Sequence, residues 1–366
     1  MFNKDKFYKD ILSIAVPITV QSFFQSSVSV IDQIMVGQLG SVSIAGAGLG
    51  GKFSSLFSVT ISAIATGAGI LISQYYGSKN KKGINDSFIC NMYFSLIISV
   101  FFTVISFVFP IKLMSIYSTD LDTINASASY LKIVSIGFIP MTLTLIISTF
   151  LRCIGYAKYP MCASIISVFI NTGLNYLLIF GKSIFPAMGL EGAAWATNIA
   201  RIFEFILIFI FLLVIKRKKK LYISFNLKLD FNFIRKVILI LYPMLICEFL
   251  WSLGENGYAM IYGRIGTEAC AAMTLTGPIQ SLLIGIFSGI ASASGIISGK
   301  ALGDRQFEDA YIMSKKIFKI GVVGSIIIGI FLSAIASLYV KMFQVNYDIK
   351  HNTIYILYGF SLILFA

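Results

Sequence analysis

Charge is scarce in this chain. Asp, Glu, Lys and Arg make up 12% of its 366 residues, against 57% hydrophobic residues, where soluble proteins carry about 25% charged residues. With a mean hydropathy of +0.86, the composition excludes an ordinary soluble domain and points to a polytopic membrane protein. There is one histidine, His351, in a polar connection near the C-terminal end, which leaves almost no room for a histidine metal centre or a Ser-His-Asp triad. The five cysteines (Cys90, Cys153, Cys162, Cys247 and Cys270) are odd in number, scattered mostly through apolar runs and form no CxxC pair. They read as small apolar fillers. A single short apolar core followed by a soluble chain is also lacking, so no cleaved signal is expected.

What charge there is has one dominant sign, with a formal net value of +13. In a membrane protein the distribution of Lys and Arg among loops explains such an excess before nucleic acid does. With a cytoplasmic N-terminus, 21 of the 29 basic residues fall in alternate connections, at Lys4 to Lys9, Lys79 to Lys82, Arg152 to Lys158, Lys216 to Lys236 and Lys300 to Lys319. Lys52, Lys132 and Arg201 alone lie within or beside spans, and they are the basic residues expected to be buried. Nucleic acid is not an expected partner; the bilayer of the cell (plasma or inner) membrane is.

Apolar runs between polar breaks predict nine spans, at 11–36, 44–76, 88–110, 125–150, 158–181, 188–215, 235–262, 268–300 and 317–343, with a tenth beginning near Ile354. An internal repeat organises them. At an offset of 226 residues Pro17 matches Pro243, Gly37 Gly263, Gly40 Gly266, Ala45 Ala271, Gly51 Gly277, Gly69 Gly295 and Gly77 Gly303. That interval holds six spans, an even number, so both copies have the same orientation in the membrane. The expected fold is an all-α polytopic membrane protein of two pseudo-symmetric six-helix lobes, a parallel repeat. Residues 1–215 form the first lobe, 216–236 a basic cytoplasmic linker suited to anionic lipid head groups, and 237–366 a partial second lobe with spans seven to nine and the start of a tenth. The second lobe is expected to be incomplete.

Within the first span, Gln21, Gln25 and Asp32 differ by four and seven, which places them within roughly 40° on one helix face. A carboxylate at a membrane helix centre costs roughly 2.5 to 3.5 kcal/mol, so Asp32 is expected to face the bundle interior or a wet cavity. Asn171 and Asn175, four apart, share a face of the fifth span. In the seventh span, Glu248 and Glu255 share a face with Trp251 near them, while Tyr258 takes the repeat position of Asp32. Arg201 and Glu204, three apart in the sixth span, are expected to neutralise each other locally, with Thr197 on their face.

Pro17, Asp32 and the Gly37-x-x-Gly40 exit resemble the first helix of the multidrug and toxic compound extrusion (MATE) family. Further agreement lies in LRCIGYAKYPM (Arg152, Gly155, Lys158, Pro160), in INTGLNYLLIFG and in GAAWAT ending at Thr197. Two departures stand out: Gly155-Tyr156-Ala157 replaces the common Gly-Asp-Thr, and Asn175 stands where many members have Asp. The resemblance implies a secondary antiporter that exports drugs or organic cations in exchange for Na⁺ or H⁺, as two lobes alternate access to a cavity. It implies a first-lobe cation site of Asp32, Asn171, Asn175 and Thr197, in which Na⁺ at Asp32 is the one metal expected. Glu248 and Glu255 are second-lobe candidates, and Gln21, Gln25 and Trp251 are candidates for the substrate cavity. No catalytic residue, enzyme activity or cofactor beyond the coupling ion is expected, and a monomer is. One alternative is a flippase for lipid-linked saccharides, which calls for several basic residues in the cavity. An intramembrane enzyme calls for a catalytic constellation, and none is visible.

Overall fold

In the computed structural model, residues 4–118, 120–182, 185–219, 231–265, 267–341 and 347–364 are described, and side chains for somewhat fewer of them. The described residues form twelve helices and no strand. Hydrophobic runs of this length can satisfy their backbone in a bilayer only by internal hydrogen bonding, which the α-helix provides. The first lobe comprises α1 (Lys4–Gly37), α2 (Ser41–Gly77), α3 (Lys81–Val108), α4 (Pro110–Met114), α5 (Leu121–Ser135), α6 (Phe138–Cys153), α7 (Lys158–Phe180) and α8 (Gly189–Lys219). The second has α9 (Phe231–Ile265), α10 (Thr267–Gly303), α11 (Phe307–Lys341) and α12 (Tyr347–Ile363).

Eight of these helices are long and apolar enough to cross a membrane, and α5 with α6 makes a ninth span, bent by 48°. The span expected at 125–150 is therefore two helices. The sequence explains the break: Pro140, third in α6, has no N–H and its ring crowds the carbonyl four residues earlier, at Ile136. The short α4 starts at the last residue of the span expected at 88–110 and otherwise lies outside the expected spans. Residues 216–219 and 231–236, read as linker, continue α8 and begin α9; the rest of that segment, 220–230, lies outside the described residues.

The main core is aromatic and aliphatic, with Phe57 stacked on Phe138 at 4.1 Å and Phe88 against Phe150 at 4.6 Å, and it continues into α9, α10 and α11 through Leu241, Ile296 and Ile317. Large side chains such as Ile97, Phe101, Phe169, Ile327 and Phe331 point outward, as a lipid-facing surface requires. Lys52 and Lys132 are exposed, contrary to the burial expected of them. Arg152, assigned to a loop by its place in the chain, instead turns inward from the last turn of α6, and its Nε is buried.

The 226-residue repeat reappears in the backbone. Helices α2 and α10, and the starts of α3 and α11, fall at that interval. So do the turns between them: Lys79 at φ 55° and Arg305 at φ 59° are the two non-glycine residues with positive φ among those described. Each turn closes with the same four hydrogen bonds. Ser78, Lys79, Asn80 and Ile84 donate to Gln74, Tyr76, Tyr75 and Asn80, while Asp304, Arg305, Gln306 and Ala310 donate to Lys300, Leu302, Ala301 and Gln306. The lobes meet there through a reciprocal crossing: Gly77 lies against the Lys300 backbone and Gly303 against the Gln74 backbone, each too close for a Cβ. Tyr75 of α2 accepts from Lys236 of α9 at 3.0 Å at the same basic end. Farther along, Gly289 packs on Ala15 and Thr19, and Gly67 on Leu241. Small residues thus bring α1 and α2 onto α10 and α9.

Candidate functional site

Three helices of the first lobe present polar side chains at helical spacing toward one another. Gln25 and Asp32 come from α1; Ser164, Ser167, Asn171 and Asn175 from α7; Thr197, Arg201 and Glu204 from α8. The intervals are three, four and seven residues, so each helix contributes a single stripe. All but Asn175 line a cavity of about 190 Å³.

At one end of this column, Asn175 Nδ2 donates to Asp32 Oδ1 at 2.6 Å. The Asn171 amide sits between the partners. One of its terminal atoms is 3.5 Å from Thr197 Oγ1, and the other is 3.2 Å from Asn175 Nδ2 and from both Asp32 carboxylate oxygens. With nitrogen toward Asp32, it donates to both carboxylate oxygens. With oxygen there, it accepts from Asn175 but faces the carboxylate oxygens without a proton between them. Thr197 Oγ1 spends its proton on Ala193 O at 3.0 Å, leaving lone pairs for the cluster. Asn175 Oδ1 is buried and has no hydrogen-bond donor. Buried polar atoms are rarely left so.

The donor set fits a small hard cation: a carboxylate, one or two amide oxygens and a hydroxyl, all oxygen, with one acceptor unmatched. The structure thus brings together Asp32, Asn171, Asn175 and Thr197. It separates Gln21 from them. Gln21 is 9% exposed and its Oε1 accepts from Arg152 Nη2 at 2.8 Å, and it lines neither the Asp32 cavity nor the one between the lobes. Gln25 Nε2 donates to Ser164 Oγ at 3.0 Å, and Ser164 in turn hydrogen-bonds Glu204. Glu204 is thus held by a serine of the neighbouring helix, while Arg201 Nη1 is buried without a partner. The two charges nonetheless act on each other electrostatically, as expected of residues three apart on one helix.

A second cavity, about 430 Å³, lies between the lobes. Lys52 and Ser55 of α2, Tyr117 beyond α4, and Trp251, Ser252 and Glu255 of α9 line it. Trp251 is 55% exposed. Glu255 therefore faces this cavity, whereas Glu248, half-buried on the same helix, does not line it. Lys52 is part of the same wall. Tyr258 and Cys270 lie outside the residues whose side chains are described.

Sequence reasoning missed Ser164, Ser167 and Tyr130 as neighbours of the cluster. The two serines carried a usable signal, because they extend the Asn171/Asn175 stripe at the same spacing. Tyr130 of α5 comes within electrostatic reach of Asp32 and Arg201 only through the fold.

Comparisons with known proteins agree with this architecture. The chain is 27% identical over 337 residues to a Bacillus subtilis protein named Probable multidrug resistance protein YoeA, covering 89% of this chain and 70% of the relative. It is 24% identical over 360 residues to Probable multidrug resistance protein NorM of Listeria innocua, covering 97% and 79%. A solved outward-facing multidrug resistance MATE family transporter superposes with a TM-score of 0.87 at 21% identity, over 98% of this chain and 79% of that one. A MOP superfamily transporter from Pyrococcus furiosus, whose binding pocket is described as having reverse polarity, gives 0.86 at 21% over the same shares. The MatE family model matches residues 17–177 and 243–366, two segments whose starts are 226 residues apart like the repeat itself, and the chain belongs to that family.

Proposed function

We propose that this transporter exports amphipathic organic cations, drugs among them, from the cytoplasm in exchange for inward Na⁺ bound at Asp32. The observation that carries the reading is Asn175 Oδ1, a buried acceptor with no donor beside a half-buried carboxylate. A cation supplies what that oxygen lacks. One inward charge across 100 mV is worth about 2.3 kcal/mol, enough to drive a modest drug gradient. The substrate would occupy the cavity between the lobes, where Glu255 offers negative charge and Trp251 and Tyr117 offer faces for cation–π contact.

The sidedness follows from the charges. The end carrying Lys79, Lys81, Lys82, Lys216 to Lys219, Lys236 and Lys300 is assigned to the cytoplasm, together with the N-terminus, in a cell membrane. That end is closed by the Gly77 and Gly303 crossing. An outward-facing arrangement is therefore the reading of this state, and inward access would require the crossing to part.

The deciding experiment is counter-transport in vesicles. Ethidium uptake against an imposed Na⁺ gradient, with choline as the control and a pH gradient as the second arm, should respond to Na⁺ in the parent and to neither ion in Asp32→Asn. Exchange driven by pH alone would replace Na⁺ by H⁺ as the coupling ion. Exchange by Asp32→Asn near the parent rate would remove Asp32 from the mechanism. The saccharide flippase is less well supported: of Lys52, Lys132, Arg152 and Arg201, only the two arginines have enclosed nitrogen atoms.

A further inference from the structure

The cavity that holds Asp32 also contains a cation of the chain's own. Arg201 lines it, standing on α8 one turn from Thr197 on one side and one turn from Glu204 on the other. It is hydrogen-bonded to neither carboxylate by the contacts seen, although Glu204 lies within electrostatic reach of it. Asp32 takes its hydrogen bond from Asn175 and Glu204 takes one from Ser164, while Arg201 Nη1 is buried with no partner. Space for the guanidinium comes from the break between α5 and α6. At Gly137 a Cβ would stand 3.1 Å from Arg201 Cδ and 3.2 Å from Nη1. Other charged or polar groups face it too: Arg152 acts on Glu204, and Tyr130 lies within reach of both Arg201 and Asp32.

Emptying a cation site leaves the half-buried Asp32 carboxylate without a counter-charge, a penalty that grows as the surroundings exclude water. A long basic side chain in the same cavity can remove that penalty by moving. We infer that Arg201 is the resident counter-ion of the Asp32 site: its guanidinium swings toward Asp32 when the coupling cation leaves and returns toward Glu204 when the cation binds. Arg201 is then a positioning residue, and Glu204 is the carboxylate that holds it aside. This rests on the reading of Asp32 as the coupling site. The measured affinity for the cation includes the displacement of Arg201, so the two compete by mass action within one molecule.

Signs of opposite direction follow. Arg201→Gln removes the competitor and should tighten cation binding about tenfold, Glu204→Gln frees the competitor and should weaken binding several-fold, and Arg201→Lys should remain near the parent. The test uses the purified full chain and the thermal unfolding midpoint as the reporter. Midpoints are followed against Na⁺ at fixed pH, with choline holding ionic strength, and against pH in choline alone, to give a half-saturating concentration for each ion. A parent whose midpoint responds to neither ion overturns both the Asp32 reading and this one. If the parent responds and Asp32→Asn does not, unchanged or weaker binding in Arg201→Gln overturns the counter-ion role alone. A lower midpoint without ions and no change in half-saturation would mark Arg201 as structural and equally overturn it. Should Arg201→Gln fail to fold, Glu204→Gln still decides: unchanged or tighter binding there contradicts the proposal.

Discussion

Helices α1 and α9 are repeat partners that kept their backbone and changed their chemistry. Each carries an internal proline, Pro17 in one and Pro243 in the other. At the positions where α1 presents Gln25 and Ser29 to the Asp32 cavity, α9 presents Trp251 and Glu255 to the cavity between the lobes. The turns at Lys79 and Arg305, by contrast, are copies down to their hydrogen bonds. Duplication preserves what packing and chain reversal require. Side chains facing cavities were free to diverge, so one lobe concentrates small oxygen ligands while the other offers an aromatic ring and a carboxylate.

The largest effect that would sharpen this contrast is at the two acids. Asp32→Asn keeps size and one acceptor oxygen but loses the charge, so it should insert and fold while ion-driven exchange is abolished. Glu255→Gln should leave the ion dependence in place and weaken binding of cationic substrates. Vesicle exchange with both variants separates the roles, and an equal loss of ion dependence in both would erase the distinction between lobes.

Next in size is the crossing where the lobes are alike. Gly77→Ala and Gly303→Ala each drive a methyl into a backbone carbonyl of the other lobe, and overpacking of this kind costs about 1 to 3 kcal/mol. Gly51→Ala and Gly277→Ala, a repeat pair with nothing within 4 Å of the added carbon, should be neutral. Unfolding midpoints in detergent measure all four. Comparable losses at the two crossing glycines express the symmetry, and a loss at only one would break it.

Trp251→Ala should weaken binding of an aromatic cation such as ethidium by about tenfold, in line with a partly desolvated cation–π contact. Gln25→Ala, at the repeat-related position, should alter it little. Fluorescence titration distinguishes them.

Much of this was legible in residue spacing. Seven residues between Gln25 and Asp32, four between Asn171 and Asn175, and the 226-residue interval each translate directly into a face or a fold axis. Inward turns of side chains at helix ends were not legible: Arg152 sits at the boundary of a span, and only the fold decides that its long side chain reaches Gln21 of α1. The bend in the fourth span left a signal in Gly137 and Pro140, but the apolar run is continuous across it. Nor could position along the chain reveal that Lys52 faces a cavity, because a helix periodicity does not say which neighbour covers which face.

The smallest effect tests the copied turns where one side chain differs. Asn80 precedes α3 and its Oδ1 accepts from Gly83 N at 2.9 Å, an N-cap. Its repeat partner Gln306 precedes α11 with the same backbone hydrogen bonds, but its longer side chain turns back to donate to Asp304 Oδ2 at 2.9 Å. The first-turn N–H groups of α11 therefore lack the cap that α3 has, although Glu308 and Asp309 favour that helix end electrostatically. Shortening the side chain by one methylene should place the amide oxygen over the N–H three residues on. Gln306→Asn is expected to stabilise the chain by a few tenths to about 1 kcal/mol, and Asn80→Ala to destabilise it by about 1 kcal/mol. Hydrogen exchange at the first turn of α11 is the sensitive readout, since a cap slows local fraying before it moves the global midpoint. Slower exchange there in Gln306→Asn would show that the two turns differ only in the side chain. Unchanged exchange would mean that their backbones, alike in hydrogen bonds, are not alike enough for the same cap.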